Sequence, residues 1–464
     1  MINILFVFLL LFFFTPGNSY AVSELFPPVG VPPFVSDFLA NPLNTYYCSP
    51  SGDNSTGDGT IGNPWLNLAG ASAVVAPGSL IYLRGGSYAD AGQASFAYSN
   101  NNLAVSGTVE NPIVVTNYPG EIAVFTDGGD DSGWLLTLQA DYVKLIGTLV
   151  GSSYGIQIDG GATVSGDFIQ VSGVDFLTGI ENGGDYNPSM LSVPVNDTTT
   201  NTVISHNTFR DSIALPTYNR NTCIRLFSLN TILIEYNLFI DNRNLYQGGS
   251  IYYKGAINNA TVRYNKFINC VGGISYAVQG DEFNGSIYEN LFYSTDNPFY
   301  FTNDLTNSGE ISIYNNVALS IPVWGAFFMY LNSDNQEWSV HGDFYNNVID
   351  GLAFELSDNA NSDDIKNFPD IFNYNLWIDA SDKTILPIGP PPNDSGVDIS
   401  SLGYYANDIV AVSFDITYDE ISYTAIASES YPGRGLGING TNIGGFLFSQ
   451  NHGGGSFSGM GNHR

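Results

Sequence analysis

Cysteine is scarce in this chain: 464 residues hold only Cys48, Cys223 and Cys270, an odd number that cannot pair completely. A fold built on disulfides is therefore excluded, and stability has to come from core packing and stacked hydrogen bonds. Charge is thin and one-sided, with 13 Lys and Arg against 44 Asp and Glu, 12% of residues charged and a formal net charge of −31. Such a field repels phosphates and argues against a nucleic-acid partner. It repels polyanionic sugars too, although salt screens exposed charges beyond ~10 Å at about 0.1 M and bound divalent cations invert the field locally. The plainest reading of the acidity is solubility in a salty medium. Long apolar runs are also lacking after the first, at residues 4–14 of "MINILFVFLLLFFFTPGNSYA". That run is short for a bilayer span, and with Pro16, Gly17, Ser19 and Ala21 behind it residues 1–21 read as a removed secretory signal. The protein is expected to be secreted or at the cell surface, without a membrane span. No Ser/His/Asp arrangement of recognisable spacing, phosphate loop or Cys/His zinc cluster is present.

What is abundant points one way. Gly numbers 51 and Tyr plus Phe 59, and turn formers punctuate short β-branched and aromatic runs, an all-β signature. Residues 22–44 carry Pro27, Pro28, Pro32, Pro33 and Pro42 and read as an extended lead-in. Residues 449–464, "QNHGGGSFSGMGNHR" and its preceding serine, read as a Gly-rich flexible tail. Between them, residues 45–448 form one body.

That body repeats. An Asn followed two residues later by Phe, Val or Trp recurs in "SHNTF", "EYNLF", "RYNKF", "YENLF", "IYNNV", "FYNNV" and "NYNLW". Counted on Asn207, Asn237, Asn265, Asn290, Asn315, Asn346 and Asn375, the gaps are 30, 28, 25, 25, 31 and 29 residues. Fixed periods of this size mark a solenoid, and the alternating runs inside each unit, such as "TILIEYNLFI", make it a solenoid of strands. Coils of that length stacked at about 4.8 Å form a single-stranded right-handed parallel β-helix. The Asn is expected at a coil corner, bonding the Asn of the next coil, with the apolar residue two positions on filling the core.

Residues 46–88, "YYCSPSGDNSTGDGTIGNPWLNLAGASAVVAPGSLIYLRGGSY", resemble the N-terminal segment of secreted β-helix proteins of the pectate-lyase-like superfamily. In that superfamily a strand and a Gly/Asp-rich loop lead into a short capping helix and a second strand. "SYPGRGLGINGTNIGGF", residues 430–446, resembles their closing segment. Within the superfamily, "CIRLFSLNTILIEYNLF" and "GGSIYYKGAINNATVRYNKFINCVGGISY" are most similar to alginate-lyase and chondroitinase-B type polysaccharide lyases. The resemblance implies cleavage of a uronate-containing, acidic polysaccharide by β-elimination, with Lys254 on the family's catalytic lysine. The proton next to a carboxylate is weakly acidic, so the reaction wants a base within reach and a positive charge against the developing enolate. A nearby cation also lowers the pKa of a lysine base.

Counting back from the repeat asparagines predicts an outer column of Arg225, Lys254, Gln279 and Asp304. Lys254, Arg225 and Gln279 are thus the candidate catalytic residues, Tyr252 and Tyr276 candidates for sugar stacking, and Arg263 a further substrate-binding candidate. The family's acidic calcium ligands fall on Gln247 and Gly249, and its second catalytic cation near Val278, with "QG" at Gln279 and Gly280. Calcium thus stays open as a cofactor, and Arg225 or Arg263 would have to replace the missing cation. Two other classes compete: a non-catalytic surface or adhesive β-helix in which Lys254 is an ordinary solvated side chain, and a glycosidase using Asp281 and Glu282, or Asp127, Asp130 and Asp131.

Overall fold

The computed structural model describes residues 42–90, 101–127, 134–178, 189–193, 201–210, 222–227, 229–242, 249–279, 283–304, 309–319, 327–331 and 340–350. Beyond these it describes only strand segments between 354 and 427. The proposed leader, most of the lead-in and the tail lie outside them. No helix among the described residues is long and apolar enough to cross a membrane.

Among the described residues three sheets of 12 strands each run along the body, and consecutive strands of one sheet come from consecutive coils. Apart from the last pair of the third sheet, the neighbouring strands are parallel. One full coil runs from Ile232–Glu235 in the first sheet through Leu238–Ile240 in the second to Ile251–Tyr253 in the third, then on to Ile257–Arg263 in the first again. This is the right-handed parallel β-helix expected from the repeats, the hand in which parallel crossovers almost always close. Over the first coils the predicted cap is present: strand Asn44–Cys48, a loop, helix Leu68–Ser72 and strand Ser79–Leu83. Asn67 caps that helix by accepting from the Gly70 amide, and Leu68 and Ala71 are buried beneath it. Gly59, at φ +76, lies against the Trp65 indole, where a Cβ would come within 2.5 Å of the ring.

The corner between the first and second sheets fixes the register of the coils. Asn207, Asn237, Asn265, Asn290, Asn316 and Asn347 are buried there in a continuous ladder. The Oδ1 of Asn265 accepts from both the backbone N–H and the Nδ2 of Asn237, each at 3.0 Å. Its Nδ2 donates to the Asn290 Oδ1 at 3.0 Å and back to the Ile234 carbonyl at 2.9 Å. A buried amide with all its capacity used is stabilising where an unpaired one would be costly. In the core beside the ladder, Phe176, Phe209, Phe239, Phe267 and Phe292 stack with ring centres 4.6 to 5.0 Å apart.

The ladder corrects two positions of the repeat. In "IYNNV" and "FYNNV" the second asparagine, Asn316 or Asn347, carries the ladder. The first, Asn315 or Asn346, takes the left-handed slot at φ +56 or +55, which His206, Tyr236, Tyr264 and Glu289 fill in the preceding coils. Asn tolerates that conformation better than most residues do, so two adjacent asparagines hide the frame. The core residues of these coils are accordingly Ala318 and Ile349. Asn375 lies outside the described residues.

The three cysteines are all free and buried. Lys266, in register between Leu238 and Leu291 on the second sheet, is 8% exposed, and burial pushes its ammonium pKa down to about 8.

Asn316→Ala, which strips two neighbouring donors of their acceptor, should lower stability in urea by about 2–4 kcal/mol, whereas Asn315→Gly should stay within about 1 kcal/mol of the parent because glycine accepts positive φ. The buried lysine gives a second expectation, in pH. The unfolded chain holds the Lys266 proton more tightly than the folded chain does. The burial penalty is therefore fully present below pH 8, and stability rises with pH between about 8 and 10.4. Urea titrations at pH 7 and pH 10 should show the parent gaining about 2.5 kcal/mol relative to Lys266→Met.

Candidate functional site

The third sheet carries the residues singled out by sequence, and its strand alternation decides which way they face. In strand Thr222–Leu226, Ile224 and Leu226 belong to the core, so Arg225 projects to the other side. In strand Ile251–Tyr253, Ile251 and Tyr253 are core residues and Tyr252 projects outward. Arg225 and Tyr252 are Cα partners. Lys254 follows directly, where the chain leaves the third sheet for the first, and its amide donates to the Leu226 carbonyl at 2.8 Å. Sharing the parity of Tyr252, Lys254 faces outward and is half-buried.

The predicted column therefore needs correction. Arg225 stands beside Tyr252, two positions before Lys254, while Gln279 ends strand Ile274–Gln279 as the Cα partner of Asp304. Lys254 sits at the level of Phe227 and Ala277, and Gln279 lies two positions further along the next strand. Corner lengths differ between coils, and a count back from the asparagines carries that difference into the third sheet.

What the register does bring together is a pair of cations over one ring. The Arg225 Cζ lies 4.4 Å from the centre of the Phe227 ring, and the Lys254 Nζ lies 5.8 Å from the same centre. The two charges are consequently within about 10 Å of each other, roughly a Debye length at 0.1 M. Sequence reasoning misses Phe227, although the period-two spacing Arg225-x-Phe227 beside Tyr252-x-Lys254 would have found it. Arg225 is only 7% exposed and Tyr252 only 5% exposed. The arginine is thus a charge beneath the surface, and the lysine is the more accessible of the pair.

Two other candidates move away from this site. Tyr276 is the Cα partner of Tyr253; both are in the core, with rings stacked at 5.2 Å, and burial raises both phenol pKa values. Its place in the alternation turns it inward, so Tyr276 cannot stack on a sugar at the surface. Arg263 lies on the first sheet, in register with Glu235 and Tyr288. Its Nη2 meets the Glu235 carboxylate at 2.7 Å and its Nη1 donates to the Tyr288 hydroxyl at 3.0 Å. Burial works against its charge, but those two hydrogen bonds outweigh it and hold the guanidinium pKa above its usual value. Arg263 clamps one coil to the next on a face away from Lys254. Arg84 with Glu121 and Arg210 with Asp175 are further cross-coil pairs of this kind.

The position of the family's second calcium ligand is closed by the backbone. A Cβ at Gly249 would come within 2.5 Å of the Gly273 carbonyl oxygen, so successive coils pass too close there for any side chain. With glutamine at 247 and no room at 249, the residues present do not fit a hard cation that seeks carboxylates. Among the described residues no group of three or more His, Cys, Asp or Glu is placed to hold a metal. Of the carboxylates considered for hydrolysis, Asp127 ends strand Ala123–Asp127 of the second sheet. Asp130, Asp131, Asp281 and Glu282 lie outside the described residues.

No protein-family model and no curated protein sequence matches the chain. Solved structures do. The crystal structure of pectate lyase Pel9A superposes with a TM-score of 0.50 at 17% identity, covering 88% of this chain and 96% of that one. An alginate lyase from Paenibacillus sp. str. FPU-7 gives a TM-score of 0.39 at 13% identity, covering 68% of this chain and 97% of that one. A mannuronic acid specific polysaccharide family 6 lyase from human gut microbiota gives 0.42 at 13%, covering 75% of this chain and 92% of that one. At these identities the shared property is the fold. By its three parallel sheets and its cap the chain is a right-handed parallel β-helix, the fold it shares with the crystal structure of pectate lyase Pel9A.

Proposed function

We propose that this β-helix is a polysaccharide lyase that cleaves a uronate-containing polymer by β-elimination at the outer face of the third sheet, with Lys254 as the base. The observation that carries the reading is the meeting of Lys254 and Arg225 over the Phe227 ring. Lys254 Nζ would take the proton from the carbon next to the uronate carboxylate. The C–H electron pair would become the new C=C bond as the adjacent C–O bond breaks, and the departing oxygen would take its proton from water. Positive potential from Arg225 serves the step twice: it favours the neutral amine that a base requires, and it opposes the negative charge developing on the substrate. Because Arg225 is covered, this role is electrostatic, and direct grip on the carboxylate falls to groups nearer the surface. Gln279, at the end of the next strand, is the candidate for that contact. The protein would meet its polymer outside the cell, as the leader-like first residues suggest.

One observation favours a second reading, a non-catalytic β-helix that binds glycans or protein. Tyr252 is covered and Tyr276 is in the core, which removes the stacking platform a polysaccharide cleft ordinarily offers.

Ultraviolet absorbance of the unsaturated product separates the readings on a panel of alginate, pectate, chondroitin and related uronates. The elimination reading expects absorbance to rise for the parent and to fall at least about 100-fold in rate for Lys254→Ala; a flat trace for the parent on every polymer selects the binding protein. Since the Gln247 and Gly249 positions do not suit calcium, adding a chelator should leave the parent rate within about twofold. A rate abolished by chelation and restored by calcium would place a metal in the reaction and contradict that expectation.

A further inference from the structure

Phe227 is 8% exposed, so its ring is no platform for a sugar. Its two cations nevertheless approach from different strands: Arg225 lies two positions before it on its own chain segment, and Lys254 follows the adjacent strand Ile251–Tyr253. Two like charges on a wet surface separate and solvate independently. A ring face attracts each cation, by about 0.5–1 kcal/mol at an exposed site and more when desolvated. Drawn to one ring, the two cations are kept near enough for the charge of each to act on the other.

We infer that Phe227 is a positioning residue, holding Arg225 and Lys254 on one surface and coupling the charge of the covered arginine to the proton affinity of the lysine. The inference deepens the elimination reading, because a lysine base depends on such a neighbour. Of the described residues, the strand before brings Arg225 and Phe227 to Lys254, its own strand brings the Tyr252 phenol, and the strand after sets Ser275 in register with Tyr252.

The test follows the Lys254 amine by its rate of acylation with isotopically labelled acetic anhydride as a function of pH, read peptide by peptide in the mass spectrometer. The chain has five lysines, so the Lys254 peptide is resolved from the rest. Arg225→Gln should raise the Lys254 titration midpoint by about one pH unit in the parent background. In a Phe227→Leu background, which keeps bulk and apolarity but removes the π face, the same substitution should shift the midpoint by less than half as much. Phe227→Tyr should restore the full shift. Should Arg225→Gln fail to fold, Arg225→Met, which retains more of the apolar stem, serves in the same cycle. Equal shifts in the parent and Phe227→Leu backgrounds, or no shift in the parent, would overturn the inference. The titration does not depend on catalysis. Coupling without elimination on any uronate would leave Phe227 in its role and remove the lyase reading; elimination without coupling would do the reverse.

Discussion

The buried asparagine ladder is the constraint on which the rest of the molecule depends. Each rung satisfies two donors of the coil before it and donates to the coil after it, so a coil cannot slip by a residue without orphaning several buried polar groups. With that corner pinned, the phenylalanine stack in the core and the alternation of the sheets follow. The ladder tolerates variation elsewhere in each coil: coil length varies from 25 to 31 residues between rungs while the hydrogen-bond geometry stays constant. The differences are taken up in the segments between the second and third sheets and at the corners of the third.

That division of labour explains why chemistry is sought on the third sheet. The Arg263 face is cross-linked by an ion pair and a phenol bond and is occupied in holding coils together. The outer face near Lys254 has one cation covered and one half-buried, both over the same aromatic ring. A covered guanidinium is energetically expensive unless its surroundings compensate, and the ring that covers Arg225 also meets the lysine. In a chain carrying a net charge of −31, cations gathered on one face are what a polyanionic polymer would have to find.

Much of the fold is legible in the sequence because a solenoid writes its architecture in a repeat. The period of the Asn-x-apolar units, the alternating runs and the cap segment at residues 46–88 all lead to the observed coils. The double asparagines at 315–316 and 346–347 hide the frame, since either residue of the pair satisfies the pattern and only the left-handed backbone slot tells them apart. The site is less legible. Lys254 and Arg225 do share a face, but corners of unequal length break the extrapolated column. Tyr276 looks like a surface ring in the sequence because one residue of parity separates a surface ring from a core ring. Arg263 looks like a ligand-binding cation because its partners, Glu235 and Tyr288, are neighbours only through stacking. Phe227 carries no signal of its own until the register sets it between two charges.

A crystal structure of Lys254→Gln with a bound uronate oligomer tests the central claim most directly. The account predicts a chain lying along the outer face of the third sheet, with the carbon next to one carboxylate within hydrogen-bond reach of the side chain at position 254. An oligomer seated on the first sheet beside Arg263 and Tyr288, or none bound where the polymer is a substrate, would contradict it.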